Sequence, residues 1–320
     1  MRRMSRGLKS VLVPALLAAL LAGCGGSTRV SHYTPTRVVA FGDELNVITT
    51  DGRKHSVNAL KTNSSTEIDC TLYPIWSQRV ASGYGLIFPE CNPNSAPVGA
   101  DMRAVAGHKV ADVVAAVQAY GTLSPSTLVT LVAGQNDILA AYAAFDAGTQ
   151  TREQALAQAA AAGKQLGQLI DSIVRGGAGA RVIYAWPPDL GHAPFAASEV
   201  TRTGQEARRT LLSDLTRAFI DALQPVNDGL RVGRVDAELR VKSALDVSQL
   251  GGLYLTNGTD PACTALPLTS CTVGTLVPGA AGNGLNYLWA GLQLPGPRWH
   301  EWIGERAFSL AYNVLQPLAE

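Results

Sequence analysis

The stretch Arg37-Val38-Val39-Ala40-Phe41-Gly42-Asp43-Glu44-Leu45 decides the fold. A short apolar run stopped by Gly-Asp reads as a buried strand that ends in a turn. Two further runs have the same form. Thr127-Leu128-Val129-Thr130-Leu131-Val132-Ala133 ends at Gly134, and Arg181-Val182-Ile183-Tyr184-Ala185 ends at Trp186-Pro187-Pro188-Asp189. A weaker one runs from Leu230 to Asp236. Near-continuous apolar runs mark strands buried on both faces, as in parallel sheets.

Helical stretches lie between these strands. Val110 to Tyr120 is one. Thr151 to Arg175 is long, alanine-rich and stopped by Gly176-Gly177. Glu199 to Leu223 carries Leu211, Leu212, Leu215, Phe219 and Leu223 at helical spacing, and a last helix runs from about Arg298 to Leu315. Strands alternating with helices predict an α/β protein, a three-layer α/β/α sandwich around a parallel, flavodoxin-like sheet. In such sheets ligands bind at the carboxyl ends of the strands. Gly42-Asp43-Glu44, Gly134-Gln135-Asn136-Asp137 and Pro188-Asp189-Leu190 should therefore share one rim. Residues 251–284, rich in Gly, Thr and Pro, read as a long loop.

The chain's start reads differently. Arg2, Arg3, Arg6 and Lys9 precede an apolar run from Val11 to Ala22, too short to span a bilayer comfortably. Leu21-Ala22-Gly23-Cys24 follows and resembles the lipobox of bacterial lipoproteins, an ordinary signal cut being the alternative. The expectation is a signal peptide over residues 1–23, a lipidated Cys24 with a linker to residue 36, and one domain from 37 to 320. Acyl chains on Cys24 would anchor the protein to a membrane. Gly25 after the cysteine favours the outer membrane in the lipoproteins this resembles, at its periplasmic side or surface.

The four basic residues of the signal exceed the chain's net charge of +1, so the remainder is weakly acidic. That excludes the basic footprint of a nucleic-acid binder. Of five cysteines, four remain after Cys24. An even number in an exported chain predicts disulfides, and Cys70–Cys91 and Cys263–Cys271 close the shortest loops. Metal ligation is the competing reading, but no CxxC pair or histidine cluster supports it. No cofactor is implied.

Taken in order, the rim segments resemble the blocks of SGNH (GDSL-type) ester hydrolases. Phe41-Gly42-Asp43-Glu44-Leu45 is similar to the first block, F-G-D-S-L. Ala104-Val105-Ala106-Gly107-His108 resembles the second, and Gly134-Gln135-Asn136-Asp137 matches the third, G-x-N-D. Pro188-Asp189-Leu190-Gly191 resembles a loop of the lipolytic branch. Leu253 to Asn257, the two late cysteines and Tyr287-Leu288-Trp289 resemble the approach to the last block in autotransporter esterases. The resemblance runs from about Arg37 to the C-terminus.

The departures fall on the catalytic triad. The resemblance places the nucleophilic serine at Glu44. The last block, W-D-G-x-H, reads Trp289-Ala290-Gly291-Leu292-Gln293, so the triad aspartate falls on Ala290 and the histidine on Gln293. His300 stands where the family often carries a second histidine that is not the base. A serine hydrolase needs a hydroxyl, a base and a group that orients the base. Glu44 has no proton to lose at neutral pH, Gln293 is no base, and Ala290 orients nothing. The resemblance implies oxyanion donors at the Glu44 amide, the Gly107 amide and the Asn136 side chain.

Three readings follow. The first is a pseudo-hydrolase that binds an acyl, glycan or envelope-protein ligand in the old cleft, with the Glu44 carboxylate plugging the oxyanion donors. The second is an active ester hydrolase using Glu44 or Asp43 as general base on water; His300 reads as an aromatic-packed helix residue, with a substitute base after a loop shift as the alternative. The third is a scaffold with no small ligand. Glu44 can equally be read as a helix-cap charge, Asp43 as a structural rim residue, and Asn136 and Asp137 as loop fasteners. His108 and His192 read as rim or surface residues, and His32 and His55 carry no readable signal.

Overall fold

A computed structural model describes residues 31–176, 179–225, 229–238, 241–242, 255–280 and 284–318. The expected signal peptide and Cys24 lie outside the described residues. Five strands form one parallel sheet: β1 (Arg37–Gly42), β2 (Ala100–Met102), β3 (Thr127–Val132), β4 (Arg181–Ala185) and β5 (Val232–Val235). Their spatial order is β2-β1-β3-β4-β5. This is the doubly wound order, in which the chain reverses direction beside β1 and leaves a crevice at the strand ends. β1, β3 and β4 are the apolar runs of the sequence. Almost every residue in them is buried, as double-sided helix cover demands.

Seven α-helices occur among the described residues: α1 (Trp76–Gly83), α2 (Val110–Tyr120), α3 (Gln135–Asp146), α4 (Arg152–Arg175), α5 (Pro194–Thr203), α6 (Ala207–Ala222) and α7 (Pro297–Asn313). The α/β fold expected from the sequence is the one observed. Among the described residues no helix is long and apolar enough to cross a membrane.

Helix α4 starts where its cap predicts. Thr151 accepts from the Gln154 amide, and the Gln154 side chain accepts from the Thr151 amide. This reciprocal box satisfies two orphan donors of the first turn.

The helix expected from Glu199 to Leu223 is two helices, which corrects the sequence reading. Gly204 takes a left-handed conformation at φ 68° and its amide closes α5 on the Val200 carbonyl. A glycine in that conformation ends a helix. Pro194 at the first position moves the start of α5 earlier than expected. The stretch 251–284 is also more than a loop. It holds β6 (Asn257–Pro261), which pairs parallel with β7 (Tyr287–Trp289), and a short turn of helix over Leu268–Ser270.

The compact unit begins at Tyr33 rather than Arg37. Tyr33 is buried, its hydroxyl donates to the Pro125 carbonyl, and the Arg181 guanidinium sits 5.0 Å from its ring centre. The last residues of the expected linker therefore belong to the domain.

Both disulfides expected from the sequence are present, Cys70–Cys91 and Cys263–Cys271. The second lies in a satellite core with Val57, Ala262, Leu268, Tyr287 and Ala290, apart from the main core around the sheet.

Candidate functional site

The rim is built from strand ends that turn abruptly out of the sheet. At Gly42, β1 turns with φ 139°, and a Cβ there would fall 1.9 Å from the Val132 carbonyl oxygen of β3. Only glycine allows this approach. Asp43 then caps a single helical turn, Glu44–Asn46, by accepting from the Leu45 amide at 3.1 Å. Asn46 fastens the turn from below, donating to the carbonyls of Phe41 (2.9 Å) and Thr130 (3.2 Å). At the end of β3, Gly134 (φ 116°) has the Phe219 ring where a Cβ would stand, and α3 begins directly after it.

These turns bring three of the sequence candidates into contact. One oxygen of Glu44 (Oε1) accepts from the Gly107 amide at 2.7 Å. The other (Oε2) accepts from Asn136 Nδ2 at 2.8 Å. Asn136 Nδ2 also donates to the His108 carbonyl at 3.1 Å, which sets its direction. Asp137 reaches across to the start of α2 and accepts from the Val110 amide at 3.0 Å. Charge-assisted bonds of this length are the strong class. The half-buried carboxylate thus takes the Gly107 and Asn136 donors, two of the three that the resemblance assigns to an oxyanion.

Asp43 lies beneath, fully buried. Burial first, and the neighbouring Glu44 charge second, push its carboxyl well above the usual range. Its second oxygen finds no partner. This is a structural cap with a suppressed charge. Its burial keeps it from bulk water, so it is poorly placed as a general base on water. Burial also raises the Asp137 carboxyl, against the Val110 hydrogen bond that lowers it.

The remaining candidates sit elsewhere. Ala290 is fully buried in the satellite core, and its amide donates to the Leu294 carbonyl at 2.9 Å. Gln293 lines an apolar cavity with Leu266, Leu268, Leu292 and Leu294. His300, on α7, is 2 % exposed and stacks edge-on against Trp299. Burial, with Lys54 nearby, lowers its pKa to about 3, and Nδ1 has no hydrogen-bond partner. A ring this reluctant to take a proton is a poor base, which argues against the alternative of a substitute base. Asp189 accepts from the Gly191 amide and from Ser213 Oγ, both at 2.9 Å, and so ties its loop to α6. Its other oxygen lies 3.6 Å from His192, a rim residue as expected.

Sequence reasoning missed the segment Lys54–Asn58. Lys54, Ser56 and Asn58 are at most 1 % exposed, although all three are polar. Lys54 Nζ donates to the Leu72 and Tyr73 carbonyls at 2.6 and 3.0 Å. Ser56 donates to the Pro295 carbonyl, and Asn58 Nδ2 to the Cys271 and Thr269 carbonyls. His55, between them, feels the Glu44 charge, while burial lowers its pKa. A polar run after Asp51-Gly52 looks like surface turn, and nothing in its pattern signals burial.

Among the described residues no group of three or more His, Cys, Asp or Glu side chains could hold a metal ion.

Solved structures similar to this chain are lipases and esterases. They include a lipase from a goat rumen metagenome, at 13% identity over 86% of this chain and 97% of that one, TM-score 0.44. Phospholipase A1 from Streptomyces albidoflavus is similar at 16% identity over 86% and 98% of the two chains, TM-score 0.44. An acetylxylan esterase from Geobacillus stearothermophilus is similar at 15% identity over 87% and 94%, TM-score 0.41. The likeness is one of fold. No protein-family model matches the chain, and no curated protein is found similar to it.

Proposed function

We propose that this protein is a non-hydrolytic relative of the SGNH/GDSL ester hydrolases, an exported lipoprotein that binds a ligand instead of cleaving one. One observation carries the reading: the Glu44 carboxylate occupies the Gly107 and Asn136 donors. In a working site of this kind those donors stabilise the oxyanion of the tetrahedral intermediate. Here they stabilise a resident anion. Glu44 also puts negative charge where an ester carbonyl would have to be attacked.

The altered-hydrolase reading meets the same obstacle. A water activated by Glu44 would attack a carbonyl whose developing charge finds both donors already engaged by Glu44 itself. Asp43, which caps the Glu44–Asn46 turn and is buried, is poorly placed to stand in. The lipid anchor at Cys24 remains part of the proposal and rests on the lipobox resemblance.

The test is hydrolysis of p-nitrophenyl acetate and butyrate by the full chain beside Glu44→Ala. The expected outcome is no turnover above background that depends on Glu44. Saturable turnover that rises through one carboxylate-like pKa and disappears in Glu44→Ala would overturn the proposal.

A further inference from the structure

The chain enters the domain at the edge of the sheet opposite the Glu44 rim. Tyr33 is fully buried, and its hydroxyl donates to the Pro125 carbonyl just before β3. The Thr36 amide donates to the Ser126 carbonyl at 2.9 Å, and Thr36 Oγ1 lies 3.0 Å from Ser126 Oγ. Arg181, the first residue of β4, holds this edge together. Its guanidinium lies over the Tyr33 ring and donates to the carbonyls of Pro125, Gly179, Gln316 and Pro317. β1, β3 and β4 all begin here, so this is the amino edge of the parallel sheet.

From that edge β1 carries the chain about 20 Å. Glu44, Gly107 and Asn136 stand beyond the far ends of β1, β2 and β3. A parallel sheet puts its strand starts on one edge and its strand ends on the other. The point where a tether pulls and the point where a ligand enters therefore lie at opposite edges of one sheet.

The tether is short. Only residues 25–32 separate Cys24 from Tyr33. At full extension the chain from Cys24 to Tyr33 reaches about 32 Å at most. A domain of the length Tyr33–Glu320, packed to the usual density, measures roughly 45–50 Å across. To press the rim onto the bilayer, the domain would have to lift its amino edge by that full width, and the tether is too short. A sideways tilt needs about half the width and stays within reach. The amino edge also suits a headgroup surface. Arg37 opens β1 and Arg175 closes α4 just before β4, and both are exposed. Basic side chains are drawn to anionic headgroups.

We propose that the protein stands on its membrane with the amino edge of the sheet toward the headgroups and the Glu44 rim away from them. The rim then takes its ligand from the aqueous side, and the lipids of the anchoring bilayer are out of its reach. The proposal rests on the lipoprotein reading for the anchor at Cys24, and on the course of β1 for the direction.

The lipidated protein, purified from an expressing bacterium and inserted into preformed vesicles of phosphatidylcholine, phosphatidylglycerol and a nickel-chelating lipid, tests this. With Cys24 acylated and the other four cysteines paired, an introduced cysteine is the single free thiol. A fluorophore is placed at Val105→Cys on the rim or at Thr122→Cys on the amino edge, both exposed positions. Headgroup nickel, a short-range quencher, should quench the Thr122→Cys label at least about threefold more than the Val105→Cys label. Ala106→Cys and Gln118→Cys, also exposed, take their places if either does not fold. Inserting about 60 Gly-Ser residues after Gly26 raises the typical span of the tether to about 45 Å and should narrow the gap. Equal quenching at the two sites, or stronger quenching at Val105→Cys, would overturn the orientation and leave the anchor standing. A gap that persists with the long tether would overturn the tether as its cause. An unmodified Cys24, read from the intact mass, would overturn the lipoprotein reading and the orientation with it.

Discussion

The β1–β3 side and the β7–α7 side of the molecule differ in chemistry. On the β1–β3 side Glu44 is held by both Gly107 and Asn136. On the β7–α7 side Ala290 is core, Gln293 lines a cavity of leucines, and His300 is buried against Trp299. One side fastens its loops with polar hydrogen bonds, and the other is held by packing. Lys54–Asn58 joins the two halves, with His55 under the influence of Glu44 and Ser56 bonded to the Pro295 carbonyl.

Breaking that joint should have the largest effect. Asn58 is fully buried, accepts from the Lys54 amide, and donates to carbonyls on both sides of the joint, including Lys54 and Cys271. Asn58→Ala leaves several buried groups unsatisfied, each costing about 1–3 kcal/mol. A loss of about 3–5 kcal/mol in urea unfolding is expected. A loss under about 1 kcal/mol would show that the halves are held together independently of this segment.

Lys54 gives the next effect, and its sign is fixed by linkage. Burial lowers its pKa from 10.5 to about 7 in the folded protein. Between those values the unfolded chain binds more protons, so stability rises with pH. The contribution is recovered above the folded value and lost as pH falls toward it. Between pH 7 and 9 the gain from this one group should be about 2 kcal/mol. Denaturant unfolding at the two pH values should show it, and Lys54→Met should remove the difference. An equal gain in the variant would assign the pH dependence to other groups.

A smaller effect sharpens the polar half. Glu44→Gln removes the charge that helps raise Asp43, so the Asp43 carboxyl should titrate at lower pH in the variant, still above its ordinary value because burial persists. Carbon-13 NMR of the carboxyl resonances reads this. A raised folded pKa means that Asp43 contributes stability at low pH that is lost as pH rises through that folded value. In Glu44→Gln the loss should be complete at lower pH and smaller in total. An unmoved Asp43 resonance would mean that burial acts alone.

The sequence made much of this legible, and unevenly. β1, β3 and β4 were readable because strands covered on both faces are continuously apolar, and α4 because its cap and composition agree. The break at Gly204 was not, since leucines kept helical spacing beyond it and one glycine does not announce its φ. The pairing of β6 with β7 was hidden in a stretch whose Gly and Thr content resembles loop. At the site, Glu44, Gly107 and Asn136 could be placed together because the motif order fixes which loops share the rim. The role of Lys54–Asn58 could not, because burial of polar residues depends on carbonyls from distant segments, such as Leu72, Thr269 and Pro295, that no local pattern reveals.

The smallest expected effect is the most direct test of the contrast between the halves. Restoring a hydroxyl with Glu44→Ser frees the Gly107 and Asn136 donors and supplies a nucleophile, yet it supplies no base. His300 cannot serve with a pKa near 3. His55 is an imidazole whose pKa burial lowers and which feels the charge at position 44. No described hydrogen bond joins it to position 44 or to a carboxylate that would orient its ring, and an unoriented imidazole gives up most of the advantage of a triad. Turnover of p-nitrophenyl butyrate by Glu44→Ser should therefore stay at background. Turnover that appears in Glu44→Ser and vanishes in Glu44→Ser/His55→Ala would show that His55, in the Lys54–Asn58 segment, can supply the base.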